Sequence, residues 1–267
     1  MRLAWLTDLH LDFLTPSQLD DFLATLASAS ADAFVITGDI GQARVLVQYL
    51  KAIGDTVMRP VYFVLGNHDY YYSSVAEVRR RIAELCERHG HLIYLSTGGP
   101  IELAPGAALI GHDGWADLQY GDFATSRVLL NDYLLISELK HETKAGLERV
   151  TGQFARQAAE HFYAVLPDAA SRYAQVYIAT HVPPFRESCW HQGRISDEQW
   201  LPHFTCKASG EAVRSVMQQN PGCHATILCG HTHGGGTAQI LGNLQVLTGE
   251  AHYGRPAIQM TLEISGK

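Results

Sequence analysis

Pro60-Val61-Tyr62-Phe63-Val64-Leu65 runs directly into Gly66-Asn67-His68-Asp69. A short apolar run rich in β-branched and aromatic residues, with Pro before it and Gly after it, reads as a buried strand ending in polar side chains. Four more clusters follow apolar runs in the same way. Asp8-Leu9-His10 follows residues 3–6, Gly38-Asp39 follows 33–36, His181 follows 176–179, and Gly230-His231-Thr232-His233 follows 225–229. In open α/β sheets, ligands bind beyond the carboxyl ends of the strands. These endings therefore predict one sheet edge where carboxylate, amide and imidazole groups meet.

Strand-like runs alternate with helical patterns through the first third of the chain. Leu19, Phe22, Leu23 and Leu26 recur at helical spacing in residues 17–28, with Ser17 the expected N-cap. Residues 43–53 predict a second helix stopped by Gly54, and residues 74–88 a third that ends near Gly90. This order implies βαβ units with right-handed crossovers. Residues 107–110 predict a further strand, ending in Gly111-His112-Asp113-Gly114-Trp115. Residues 115–170 begin polar and aromatic and turn helical from Ser137, and are expected to form a cap-like insertion. Residues 185–207 are expected as an irregular loop on the site's side, followed by a helix at 210–219. Residues 236–264 alternate as antiparallel strands do, with Gly242-Asn243 and Tyr253-Gly254-Arg255-Pro256 as hairpin turns.

A chain of 267 residues that is 46% apolar can bury a sizeable core. The polar clusters span residues 8 to 233, so any division would cut the site in half. One domain over residues 1–267 is expected. The net charge of −7 argues against a broad electrostatic footprint for nucleic acid or an anionic membrane. Arg79-Arg80-Arg81 is a basic run, but it lies among Val75, Val78, Ile82, Leu85 and Cys86 on a helical stripe and reads as a solvated face. The cysteines, Cys86, Cys189, Cys206, Cys223 and Cys229, show no metal or disulfide spacing and fit a reducing compartment. A cleaved leader would remove Asp8 and His10. No apolar stretch approaches the roughly 20 residues of a spanning helix. The expectation is a soluble cytoplasmic protein with no membrane partner.

The donors are oxygen and imidazole without thiolate, which suits Mn, Fe or Zn, with Ni or Co also fitting. Asp8, Asp39 and Asn67 with His10, His181, His231 and His233 are too many for one ion. Two ions sharing one carboxylate account for the set.

In order and content these motifs resemble the calcineurin-like metallophosphoesterase superfamily: Asp8-x-His10, Gly38-Asp39, Gly66-Asn67-His68-Asp69, His181 and Gly230-His231-x-His233. The resemblance implies a four-layer αββα sandwich of two mixed sheets with helices outside and a dinuclear site at the strands' C-terminal ends. It assigns Asp8, His10 and His233 to the first ion and Asn67, His181 and His231 to the second, with Asp39 bridging. The ions would be divalent or trivalent transition metals. A pair about 3.5–4 Å apart can hold a bridging hydroxide and clamp a phosphoryl group. By the same resemblance His68 is not a ligand. It would face the leaving oxygen as general acid or bond a phosphoryl oxygen, with Asp69 either orienting it or holding a turn.

The implied activity is hydrolysis of a small phosphorylated substrate, as phosphatase or phosphodiesterase. The second motif, Gly38-Asp39-Ile40-Gly41-Gln42-Ala43, lacks the Arg of the Ser/Thr protein phosphatases. The tyrosine ligand of purple acid phosphatases is also missing. A nuclease of the superfamily would need a basic groove, which this acidic chain does not offer. A metal-free scaffold on the same fold would have lost ligands, and here every position is filled. His112, Asp113, His191, His203 and His252, and the run Tyr70-Tyr71-Tyr72, are further groups to locate relative to the site.

Overall fold

Runs of continuously buried residues make the strands and periodic apolar stripes make the helices across residues 1–265, the part described by the computed structural model. In chain order, β1 (Arg2–Leu6), α1 (Pro16–Ser28), β2 (Ala33–Thr37), α2 (Leu46–Val57), β3 (Val61–Val64), α3 (Val75–Arg88) and β4 (Leu92–Tyr94) form the first half. β5 (Ile101–Ala104), β6 (Ala107–Gly111), the short α4 (Asp132–Leu135), the long α5 (Lys144–Arg172) and β7 (Gln175–Ala179) follow. A small hairpin, β8 (Trp190–His191) and β9 (Arg194–Ile195), precedes α6 (Leu201–Phe204) and α7 (Lys207–Gln219). β10 (His224–Cys229), β11 (Gly236–Leu241), β12 (Leu244–Thr248) and β13 (Ile258–Glu263) complete the described chain.

The strands form two main sheets, ordered β13-β1-β2-β3-β4 and β11-β12-β10-β7-β6-β5. In the first, β1 to β4 are parallel and β13 is antiparallel to β1. In the second, β6, β7, β10 and β12 are parallel and the edge strands β5 and β11 are antiparallel. Side chains alternate between faces along each strand. Leu3, Trp5, Val35 and Val64 of the first sheet therefore meet Leu109, Tyr177, Ala179 and Leu228 of the second in a core between the sheets. Ala4, Phe34, Ile36 and Phe63 face the other way, against Phe22, Leu26, Leu50, Ile53 and Ile82 of α1 to α3. Ile110, Val176, Ile178 and Ile227 likewise pack on Phe162, Leu166, Val213 and Met217 of α5 and α7. The result is the four-layer αββα arrangement.

Three local expectations change. The N-cap of α1 is Thr15, not Ser17. Its hydroxyl accepts from Gln18 N, the Gln18 side chain returns to the Thr15 backbone, and Pro16 takes the first turn. Gly54 does not stop α2, which runs on to Val57. A Cβ at Gly54 would lie 2.6 Å from the His91 ring, so the glycine permits close packing instead. The turn near Tyr253 closes no hairpin with β12. That strand already has β11 and β10 on its two sides, whereas the outer edge of β1 is open, and β13 pairs there.

The stretch 115–170 has two parts. Residues 115–143 are mostly irregular and include α4, while α5 lays Phe162, Leu166 and Ala169 on the outside of the second sheet. Among the described residues no helix is long and apolar enough to cross a membrane.

Candidate metal centre

Every candidate ligand lies just past the C-terminal end of β1, β2, β3, β7 or β10. The backbone there is unusual: Asp8 (φ 49°), His10 (43°), Asp39 (53°), His231 (71°) and His233 (57°) all adopt the left-handed region. Asp and His tolerate that region better than most residues, but each instance still costs on the order of 1–3 kcal/mol. Cross-strand hydrogen bonds hold the strained turns. Asp8 N donates to Gly38 O (3.0 Å), His10 N to Asp39 O (2.9 Å) and Gly230 N to His181 O (2.9 Å). His231 N donates to both Asp8 carboxylate oxygens, at 3.0 and 3.1 Å. Gly66 allows the closest approach, since a Cβ there would stand 2.1 Å from Asp39 Oδ1.

The side chains gather in two groups that share Asp39. In the first, donor atoms of Asp8, His10, Asp39 and His233 all lie within 4.8 Å of one another. His10 Nε2 is 3.0 Å from His233 Nε2 and 3.7 Å from Asp39 Oδ2, and His233 Nε2 is 3.4 Å from Asp8 Oδ1. In the second, Asn67 Oδ1 lies 3.0 Å from His181 Nε2 and 2.9 Å from His231 Nδ1. Asp39 Oδ1 is 3.4 Å from His181 Nε2.

The proton inventory shows that a cation fits. His181 Nδ1 sits 2.8 Å from Thr37 O and His231 Nε2 sits 3.1 Å from His203 O, so each of these nitrogens must donate. A neutral imidazole has only one N–H. The opposite nitrogens, His181 Nε2 and His231 Nδ1, therefore aim lone pairs at Asn67 Oδ1, which is itself an acceptor. That amide cannot turn over freely, because its Nδ2 donates to Asp132 Oδ1 at 2.8 Å. Double protonation would relieve the conflict, but burial lowers the pKa of His181 and takes that of His231 down to about 3. Three acceptors thus converge with no proton among them. Burial, with the Asp8 and Asp69 carboxylates beside it, also pushes Asp39 well above the ordinary carboxylate range. Asp8 goes the other way: burial raises it, but the His233 hydrogen bond and the surrounding imidazoles outweigh that and hold it low. A site of this kind is stabilised by metal cations.

His68 donates its backbone N–H to Asp39 Oδ1 (2.9 Å). Its ring stacks on Tyr71 at 4.3 Å and meets His10 edge-on at 4.5 Å. Among the described residues its Nδ1 is buried without a partner. Asp69 does not orient it. The Asp69 oxygens accept from the backbone N–H groups of Asp39 (3.0 Å), Ile40 (2.8 Å), Gly41 (2.9 Å) and Gly66 (2.8 Å), which ties the β2 and β3 turns together. Burial pushes its carboxyl up to about 7 against the pull of those donors. The turn-holding alternative accounts for this residue.

Of the remaining candidates, His112 turns away: its Nδ1 accepts from Gly114 N and its ring packs on His161 and Phe162. Asp113 is a buried brace that accepts from Leu65 N, Tyr70 Oη, Tyr94 Oη, Ser96 Oγ and Arg79. His203 lends its carbonyl to His231, while its ring lies between Tyr133 Oη and Ser126 Oγ. His191 borders the cleft, and its Nδ1 is 2.9 Å from Thr232 O. His252 is exposed beside Glu250.

A cleft of about 300 Å³ opens over the two groups, walled by Tyr71, Asp132, Phe204 and Tyr253. Of these walls, Asp132, Phe204 and Tyr253 carried no signal in the sequence, because they lie in stretches with no period. Another hollow, about 390 Å³, is bordered by Gly106, Ala174 and His224 at the opposite ends of the second sheet and holds no motif residue.

A metal-dependent phosphoester hydrolase is the class that this fold and donor set define. A family model for calcineurin-like phosphoesterases matches residues 1–235, and the chain belongs to that family. No curated protein sequence matches it. In structure it is similar to a phosphopantetheinyl hydrolase from Mycobacterium tuberculosis, with a TM-score of 0.65 and 15% identity over 94% of this chain and 89% of that one. A dimetal phosphatase from Danio rerio gives a TM-score of 0.57 and 15% identity over 94% and 87%. A protein from Thermus thermophilus gives 0.51 and 16% over 93% and 88%. Identities this low speak for the fold alone.

Proposed function

We propose that this protein hydrolyses small phosphate esters at a two-ion centre. Asp8, His10 and His233 would hold one ion and Asn67, His181 and His231 the other, with Asp39 placed to serve both. The observation that supports this most directly is the pair of bare imidazole nitrogens aimed at Asn67 Oδ1, with Asp39 beside both groups. Mn, Fe or Zn suits these donors best. When bound, such a pair supplies Lewis acidity to the phosphoryl oxygens and an activated water as nucleophile.

The chain's own residues do the positioning. Asp132 fixes the Asn67 amide so that Oδ1 faces inward. Asp69 locks the turns that carry Asp39 and Asn67. His68 borders the cleft with Nδ1 buried, so Nε2 is the nitrogen that would face the leaving oxygen and give it a proton. Among the described residues no carboxylate backs this ring, and stacking on Tyr71 holds it instead. Among the described residues the cleft's lining includes no Lys or Arg, which leaves a nuclease reading without support.

Aryl mono- and diesters, nucleotides, cyclic nucleotides and a phosphopantetheine ester, each assayed with Mn, Fe, Zn and Ni, test the proposal. His68→Ala is expected to lower turnover on poor leaving groups by about 10²–10⁴, with metal content unchanged. A parallel loss of metal would make His68 a ligand. A metal-replete protein that cleaved none of these esters would end the proposal.

A further inference from the structure

The residues bordering the cleft include no Lys or Arg among the described residues. Arg255 borders a neighbouring hollow together with His233, His252 and Tyr253. The cleft does contain a second buried carboxylate, Asp132, beside Asp39. A phosphomonoester is largely a dianion near neutral pH, and enzymes that grip such dianions usually add guanidinium or ammonium donors. A phosphodiester carries one charge and replaces the other anionic oxygen with a second ester arm.

The cleft offers that arm a seat. Tyr253 is 50% exposed and stands over the first group, with ring centroids 4.6 Å from His10 and 5.0 Å from His233. Phe13, 52% exposed, lies 4.6 Å from Tyr253 and continues the surface outward. Two half-exposed rings beside a polar centre form a platform for a flat group. Tyr253 lies beyond residues 1–235, outside the span of the family match. The volume of about 300 Å³ is at the small end for ligand pockets and suits a small molecule over a polymer.

Building on the phosphoesterase reading, we infer that the preferred substrate is a small phosphodiester whose one arm ends in an aryl or heteroaryl ring seated on Tyr253 and Phe13. One P–O ester bond breaks and the oxygen of water forms the new P–O bond. The departing alcohol takes a proton, and the ring-bearing or opposite arm remains as a phosphomonoester.

The test compares kcat/KM for bis(4-nitrophenyl) phosphate and 4-nitrophenyl phosphate in wild type, Tyr253→Ala and Tyr253→Phe. A binding arm titrates diphenyl phosphate and phenyl phosphate into metal-loaded His68→Ala by calorimetry. The diester is expected to lead by at least about tenfold in both arms. Tyr253→Ala should raise KM for the aryl diester about tenfold, the size of one aromatic pair, with Tyr253→Phe near wild type. A monoester preference overturns the inference, and an unchanged KM in Tyr253→Ala overturns the ring seat. Cleavage of neither ester would instead strike the phosphoesterase reading, while the calorimetric ranking still decides which class the cleft holds.

Discussion

Replacing Asp132 with Ala should loosen one ion and spare the other. The Asp132 carboxylate is 5% exposed and accepts from Asn67 Nδ2 (2.8 Å) and Tyr71 Oη (2.7 Å). Asp132→Ala leaves the buried Tyr71 hydroxyl without its acceptor, at a cost of about 1–3 kcal/mol, and leaves Asn67 Nδ2 only a long contact to Tyr71 Oη at 3.5 Å. It also frees the Asn67 amide to rotate Oδ1 away from His181 and His231. Removing a residue that orients a metal ligand typically lowers affinity 10–100-fold, or about 1.4–2.7 kcal/mol. The first group, Asp8, His10 and His233, has no contact with Asp132 and should keep its affinity within about threefold. The assay is a chelator-competition titration of metal-free protein with Zn or Mn, fitted to two sites, with thermal unfolding to confirm that the variant is folded. Asp132→Asn keeps one acceptor oxygen in the same shape and should fall between wild type and Asp132→Ala. Equal loss at both sites, or no loss at either, would refute the claim that Asp132 works through Asn67.

Asp113 gives an acid-stability prediction. Burial raises its carboxyl, but Arg79, His112, the Tyr94 hydroxyl and Leu65 N outweigh burial and hold it at about 2, against an ordinary 3.8. On acidification the unfolded carboxylate takes up its proton first. The contribution of this group, about 2 kcal/mol, is therefore complete above about pH 4 and lost as pH falls towards about 2. Urea unfolding should show the gap between wild type and Asp113→Asn shrinking over that window, and a gap independent of pH would contradict the assignment. Gly66→Ala would put a methyl 2.1 Å from Asp39 Oδ1 and should reduce bound metal at least about tenfold by displacing that carboxylate. Wild-type metal content in a folded Gly66→Ala would show that the close approach is not required.

The parts of this molecule legible in the sequence are those set by short-range pattern. Buried parallel strands are nearly continuous apolar runs, so β1, β2, β3, β7 and β10 could be read directly, and the polar clusters at their ends came with them. The ends do not share the one sheet edge that the sequence predicts: β1 to β3 lie in the first sheet and β7 and β10 in the second, and the face-to-face packing of the two sheets brings Asp39 to both groups. Position relative to distant segments was not legible. Which edge β13 joins depends on β1 being open and β12 being enclosed, and nothing in the alternation of residues 236–264 records that. Asp69 looked like a partner for the adjacent His68, yet its oxygens are taken by backbone donors that include those of the β2 turn, about thirty residues earlier in the chain. Asp132, at the start of the one-turn α4, and Tyr253, in a loop, lie in aperiodic sequence, where an aspartate or tyrosine at the site looks like any surface residue. Their contacts exist only after both sheets have brought the loops together.

The central claim is that one carboxylate, Asp39, serves two ions at once. Metal content after dialysis against excess Zn or Mn, measured by inductively coupled plasma mass spectrometry on wild type and Asp39→Ala, tests it most directly. The account predicts about two ions per wild-type chain and loss of both in a folded Asp39→Ala, since each group would lose a ligand. One ion in wild type, or two retained in Asp39→Ala, would contradict it.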